Sequence, residues 1–167
     1  SGKGQGGVIT VANPLDTPLT GHLEVYTDDK GIGLVERDFE VQPRGTYVAD
    51  LGELQPTGTY ASAMVELGGG AGFVEQTARH SDGDATSPCT NSTSPTWYFA
   101  DNYTLGESKE DIVITNPFPD DAILDFTFAN KDGARSPNVL QGVPVPPHSI
   151  LIVNQELLAK DEAIYAV

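Results

Sequence analysis

Ile9-Thr10-Val11-Ala12-Asn13-Pro14 returns as Ile112-Val113-Ile114-Thr115-Asn116-Pro117, an offset of 103 residues. The match runs on with two one-residue slips. Leu23-Glu24-Val25-Tyr26 answers to Phe126-Thr127-Phe128, Val41-Gln42-Pro43 to Val145-Pro146-Pro147, Tyr47-Val48-Ala49-Asp50 to Leu151-Ile152-Val153-Asn154, and Glu53-Leu54 to Glu156-Leu157. A self-match at this period means two copies of one supersecondary plan, so the pattern bears on architecture before it bears on chemistry.

The copied segments are short, β-branched or aromatic, and bounded by turn residues, which is the pattern of strands. Strands are expected near 8–12, 22–26, 39–41, 46–50, 60–67 and 73–78, and again near 96–100, 111–115, 123–129, 139–143, 149–153 and 162–167. Leu23 and Val25 alternate with Glu24 and Tyr26, the period of two that turns one face inward. Each Asn-Pro reads as a strand terminator: Pro has no N–H to continue a ladder, and an Asn side chain bonds its own backbone two residues on. Asp28-Asp29-Lys30-Gly31 and Asn130-Lys131-Asp132-Gly133 supply turn residues at equivalent places. Leu51-Gly52-Glu53-Leu54 suits one helical turn, and the 68–72 glycine run reads as a hairpin connection.

Eighteen Gly and 12 Pro argue against long helices, given their cost at interior helix positions. The expectation is therefore an all-β protein, an immunoglobulin-like β-sandwich built from two tandem or intercalated copies of a repeat of about 100 residues. Residues 1–7 read as a tail, 8–78 as a first module without its opening strand, 79–95 as a loop or linker with scarcely an apolar residue, and 96–167 as a second module without its closing strand. The two incomplete modules could instead complete one pseudo-symmetric sandwich. Unpaired edges at both ends predict protein partners or self-association through edge strands.

Nine basic residues against 24 acidic ones give a formal charge of −15. Such a charge repels phosphate backbones and anionic headgroups, so nucleic acid is excluded as a partner, and no segment is long and apolar enough for membrane insertion. Cys89 is the single cysteine, so neither an intrachain disulfide nor a Cys-His metal cluster can be built.

No catalytic pattern accompanies the repeat. The three histidines are scattered, and neither a Gly-x-Ser-x-Gly elbow nor a phosphate loop occurs. The chain is therefore read as no enzyme and as needing no cofactor. Ca²⁺ is the one candidate ion, with Asp82 and Asp84 as its ligands, weighed against the plainer reading of turn-forming Asp; Asp28-Asp29 and Asp120-Asp121 are further acidic pairs. Trp97, Tyr98 and Tyr103 belong to the densest aromatic group, alongside Phe99. The favoured reading buries Trp97 as a core anchor, and the alternative exposes the group as a stacking platform for carbohydrate.

Trp97-Tyr98-Phe99-Ala100, the apolar strand closed by Asn-Pro, the Pro-initiated strand some thirty residues on, and the pair Met64-Val65-Glu66 and Phe73-Val74-Glu75-Gln76 together resemble a β-rich domain family of unknown function found in secreted or surface-anchored proteins of actinobacteria and their relatives. The resemblance implies an exported, repeat-bearing, extracellular or cell-surface protein with a structural or adhesive role. It carries over no catalytic residue. Such proteins often pair a second cysteine with the one before Trp-Tyr-Phe, and this chain has Cys89 alone.

Overall fold

The computed structural model describes residues 6–31, 33–55, 57–69, 71–80, 83–99, 111–130 and 133–153. It is all-β, made of several antiparallel sheets, and the chain divides into two compact units, 1–94 and 95–167.

Among the described residues the first unit holds seven strands, β1 (Gly6–Ala12), β2 (Leu19–Thr27), β3 (Val35–Val41), β4 (Thr46–Asp50), β5 (Ala61–Gly68), β6 (Phe73–His80) and β7 (Gly83–Pro88), with one helical turn, α1 (Leu51–Leu54). They form a four-stranded sheet ordered β4-β1-β6-β7 and a three-stranded sheet ordered β3-β2-β5. Ile9 and Val11 of β1, Ala49 of β4, Leu19, Leu23 and Val25 of β2, and Phe39 and Val41 of β3 fill one core with Leu51 of α1. Side chains from both sheets thus share one apolar interior, an arrangement consistent with a β-sandwich. Phe39 stacks on Tyr47 of the other sheet with ring centroids 4.2 Å apart and planes 4° from parallel. Gly21 lies opposite Phe39, and a Cβ there would overlap the Phe39 ring, so the absent side chain makes room for the aromatic. Asp50 caps α1 by accepting from the Gly52 amide at 2.9 Å.

After β1 the chain turns on Asn13, which is 2% exposed. Its Nδ2 donates to the carbonyls of Thr17, Val41 and Gln42 at 2.8, 3.0 and 3.2 Å, and its Oδ1 accepts from the Leu15 amide at 3.0 Å. One carboxamide therefore closes the turn after β1 and ties it to the end of β3 in the other sheet. Arg44, three residues past Val41, takes φ 58°, and its amide donates to the Leu15 carbonyl at 3.1 Å.

The second unit holds β8 (Ile112–Asn116), β9 (Ala122–Leu124), β10 (Phe128–Asn130), β11 (Gly133–Arg135), β12 (Val143–Val145) and β13 (Ser149–Val153), with a 3₁₀ turn at Asn138–Leu140. The pairs are β13-β8, β12-β9 and β10-β11. Asn116, 3% exposed, donates to the carbonyls of Asp120, Val145 and Pro146 at 2.8, 2.9 and 3.1 Å and accepts from the Phe118 amide at 3.2 Å. His148 takes φ 48° and, with Arg44, completes the set of non-glycine residues at positive φ among those described. Strand register recurs as well. Ile9↔Ala49 and Leu19↔Val41 in the first unit stand beside Ile112↔Val153 and Ala122↔Val145 in the second.

Several sequence expectations change. Gly6 and Gly7 belong to β1, paired with Arg79 and Ala78, so the tail ends earlier than residue 7. β1 lies between β4 and β6 and is no edge strand; the edges of its sheet are β4 and β7. The stretch 79–95, read as a loop, contains β7, which pairs with β6 from Glu75↔Pro88 to His80↔Gly83. Polar side chains make that strand: Thr77 and Thr86 hydrogen-bond across the ladder at 3.0 Å. The glycine run 68–72 joins β5 to β6, which lie in different sheets, so it is a crossover and no hairpin. Residues 96–99 form no strand, the expected strand 123–129 breaks into β9 and β10, and 139–143 opens as a 3₁₀ turn. The backbone between β9 and β10 is held from outside, with the Phe126 amide on the Leu140 carbonyl at 3.0 Å and Gln141 Nε2 on the Phe126 carbonyl at 2.7 Å. The expected strand 162–167 lies outside the described residues.

Candidate functional site

The outward face of the β3-β2-β5 sheet concentrates the chemistry of the first unit. Leu19, Leu23 and Val25 point inward along β2, so the alternation turns His22 and Glu24 to the other side. The β2–β3 register sets His22 opposite Asp38 and Glu24 opposite Glu36, while β5 brings Glu66 opposite His22. A histidine is thus ringed by acids from three strands.

His22 Nδ1 lies 2.6 Å from Asp38 Oδ1, and Nε2 lies 3.6 Å from Glu36 Oε1 and 4.0 Å from Glu24 Oε1. The Asp38 hydrogen bond, helped by the negative charges of Asp38, Glu24 and Glu36 and opposed by partial desolvation, raises the imidazole above its ordinary value. Glu24 is held from its other oxygen by the Tyr26 hydroxyl, which donates to Oε2. Tyr26 is 1% exposed, and burial first, with the Glu24 hydrogen bond second, pushes its phenol far above the ordinary range. It stays a donor at any working pH. Donor atoms of His22, Glu24 and Glu36 all lie within 4.8 Å of one another, a spacing that one divalent ion could bridge. A shallow groove of about 640 Å³ adjoins them, lined by His22, Asp38, Glu40, Glu66 and Gly68 among others.

The residues singled out from sequence sit elsewhere. Asp84 is exposed within β7, opposite Arg79, so it belongs to a ladder instead of a loop bent around an ion. Asp82 and Tyr103 lie outside the described residues. Asp28 Oδ1 accepts from the amides of Thr59 and Tyr60 at 2.8 and 2.9 Å, and Asp29 Oδ1 from that of Gly31 at 2.8 Å, so this acidic pair builds turns. Trp97, Tyr98 and Phe99 are 55%, 92% and 59% exposed, which overturns the reading of Trp97 as a core anchor. Cys89 is exposed; partial desolvation of its sulfur first, and Glu75 second, raise its thiol, which disfavours the reactive thiolate.

The His22 face escaped sequence reasoning because its members are spread over three strands. The signal was present: His22-x-Glu24 and Glu36-x-Asp38 are both period-two pairs, and aligning the β2–β3 hairpin superposes them. Comparison with protein-family models, curated proteins and solved structures finds no match to this chain. Among the described residues no helix is long and apolar enough to cross a membrane.

Proposed function

We propose that the chain is a non-enzymatic structural or adhesive module of an exported cell-surface protein, built from two copies of one immunoglobulin-like plan. The observation that carries this reading is the pair of buried asparagine corners. Asn13 and Asn116 spend every polar atom of the carboxamide on backbone, at matching positions, so the duplicated residues serve cohesion and leave no group free for reaction. Among the described residues the first unit's four- and three-stranded antiparallel sheets agree in strand count with an immunoglobulin constant-type domain, while their orders, β4-β1-β6-β7 and β3-β2-β5, differ from its connectivity. The excess of acidic residues favours solubility. The resemblance to exported surface proteins supports the location. Antibody labelling of intact source cells should find the chain outside; recovery only from cytosol contradicts export. Pulling the full chain by its ends should give two discrete unfolding events, and a featureless extension contradicts a load-bearing role.

A second reading is carbohydrate binding, favoured by the exposure of Trp97 and Tyr98. Aromatic rings that present a face to water can stack on sugars. Titration with glycans should then quench or shift the Trp97 fluorescence, and an unchanged spectrum across a broad glycan set removes the reading.

A further inference from the structure

We propose that the outward face of the β3-β2-β5 sheet binds a divalent transition-metal ion, with Zn²⁺ as the reference case, through His22 Nε2 and the carboxylates of Glu24 and Glu36. The site stands apart from the structural role argued above and from the Ca²⁺ expectation on Asp82 and Asp84.

Three features point to an ion. Glu24 and Glu36 are directly opposite across the β2–β3 ladder. Like charges at such positions destabilise a sheet, and a cation between them removes the penalty. The second feature is the imidazole. With its proton on Nδ1, His22 donates to Asp38 at 2.6 Å and turns the Nε2 lone pair toward two carboxylate oxygens. Nε2 and the two carboxylates need a positive centre among them, which a proton on Nε2 supplies and a metal ion would displace. The third is the support around these donors. Asp38 fixes the ring through Nδ1 and the Tyr26 hydroxyl fixes Glu24 through Oε2, leaving Nε2 and both Oε1 atoms for the ion. A carboxylate behind a ligating histidine is the usual outer partner in such sites.

The donor set selects the ion. Imidazole nitrogen with carboxylate oxygen suits Zn²⁺ and its first-row neighbours, whereas Ca²⁺ takes six to eight oxygens. Zn²⁺ binds nitrogen and carboxylate oxygen at roughly 2.0–2.2 Å. The oxygens lie 3.6 and 4.0 Å from Nε2, so the ring closes on an ion by small side-chain rotations of glutamates whose backbone is fixed in paired strands. Three protein ligands leave coordination positions open toward solvent and the adjoining groove.

The test is calorimetric titration of the full chain, freed of metal, with Zn²⁺, together with the visible absorption of Co²⁺ added in its place. One ion per chain should bind, with Co²⁺ bands showing nitrogen and oxygen ligation. His22→Asn retains every carboxylate and should weaken binding by about 100-fold or more. Glu36→Gln, an exposed position, should weaken it strongly as well, and Asp38→Asn by roughly 10- to 100-fold, the usual loss for an outer partner. Asp84→Asn should leave it unchanged. Absence of one-to-one binding overturns the proposal. So does undiminished binding by His22→Asn, which would reduce the effect to an acidic surface attracting cations. Circular dichroism establishes that each variant is folded before it is titrated.

Discussion

The two asparagine corners carry the same hydrogen bonds in different company. Around Asn13, seven strands in two sheets bury nine residues of one apolar cluster, from Ile9 to Leu51. Around Asn116, the described strands are three two-stranded pairs, and among the described residues Leu140 and Val153 are buried in the corresponding cluster. In both units one carboxamide, three carbonyls and one amide fix the turn. The cost of breaking it comes from burial of unmatched polar groups, which both corners share.

The largest effect is expected from reversing the corner's polarity. Asn13→Asp or Asn116→Asp replaces a donor with an anion facing three carbonyls, and each should destabilise its own unit by about 3–5 kcal/mol. Urea unfolding followed by strand-sensitive circular dichroism would measure both. Similar losses would show that the two corners do the same work.

A second comparison sets Gly21 opposite Phe39 in the first unit beside Leu124 opposite Val143 in the second. The small and large partners are redistributed across the same rung. Gly21→Leu alone should cost roughly 1–3 kcal/mol by overpacking. Adding Phe39→Val makes room, so the double variant should be more stable than the two losses added together, with a coupling on the order of 1 kcal/mol. Strict additivity in a double-mutant cycle would contradict it.

Smaller effects follow at Arg44 and His148, both in the left-handed region. Glycine relieves a strain of about 1–2 kcal/mol there and returns part of it as chain entropy, so Arg44→Gly and His148→Gly should each stabilise by about 0.5–1 kcal/mol. Thermal unfolding would reveal it. The exposed Arg44–Asp16 pair, 2.9 Å apart, offsets only a little of the gain at position 44.

The smallest effect concerns pH. His22 is raised in the folded chain, chiefly by Asp38, so its contribution to stability is fully present below the ordinary histidine value of 6.5 and is lost as pH rises through the folded value above it. Metal-free protein should lose some stability across that window, and His22→Asn should flatten the slope in a pH series of urea midpoints.

Much of this was legible in the sequence. Period-two alternation gave the inward face of β2, the limits of β4 and β13 fell where the apolar runs predicted, and α1 followed the Leu-Gly-Glu-Leu segment after its Asp50 cap. The matching segments also share register: Ile9↔Ala49 and Ile112↔Val153 pair with the same one-residue slip that separates the segments in sequence. β7 was missed because its stability comes from a ladder and a Thr77–Thr86 bond, with no apolar signal; the Asp82-Gly83 dipeptide was the cue for a hairpin. Trp97 was misjudged because aromatic content predicts burial only where a strand and a facing sheet receive it. The His22 face needed inter-strand register, which composition does not contain.

Asn13 and Asn116 form one kind of buried hydrogen-bonded corner, present in each unit. Side-chain amide hydrogen exchange, followed by nuclear magnetic resonance on the full chain, addresses it directly. Each carboxamide has its donors on carbonyls in a buried turn. Both Nδ2 groups should exchange far more slowly than those of exposed asparagines. Rapid exchange at either one, with its unit still folded, would contradict it.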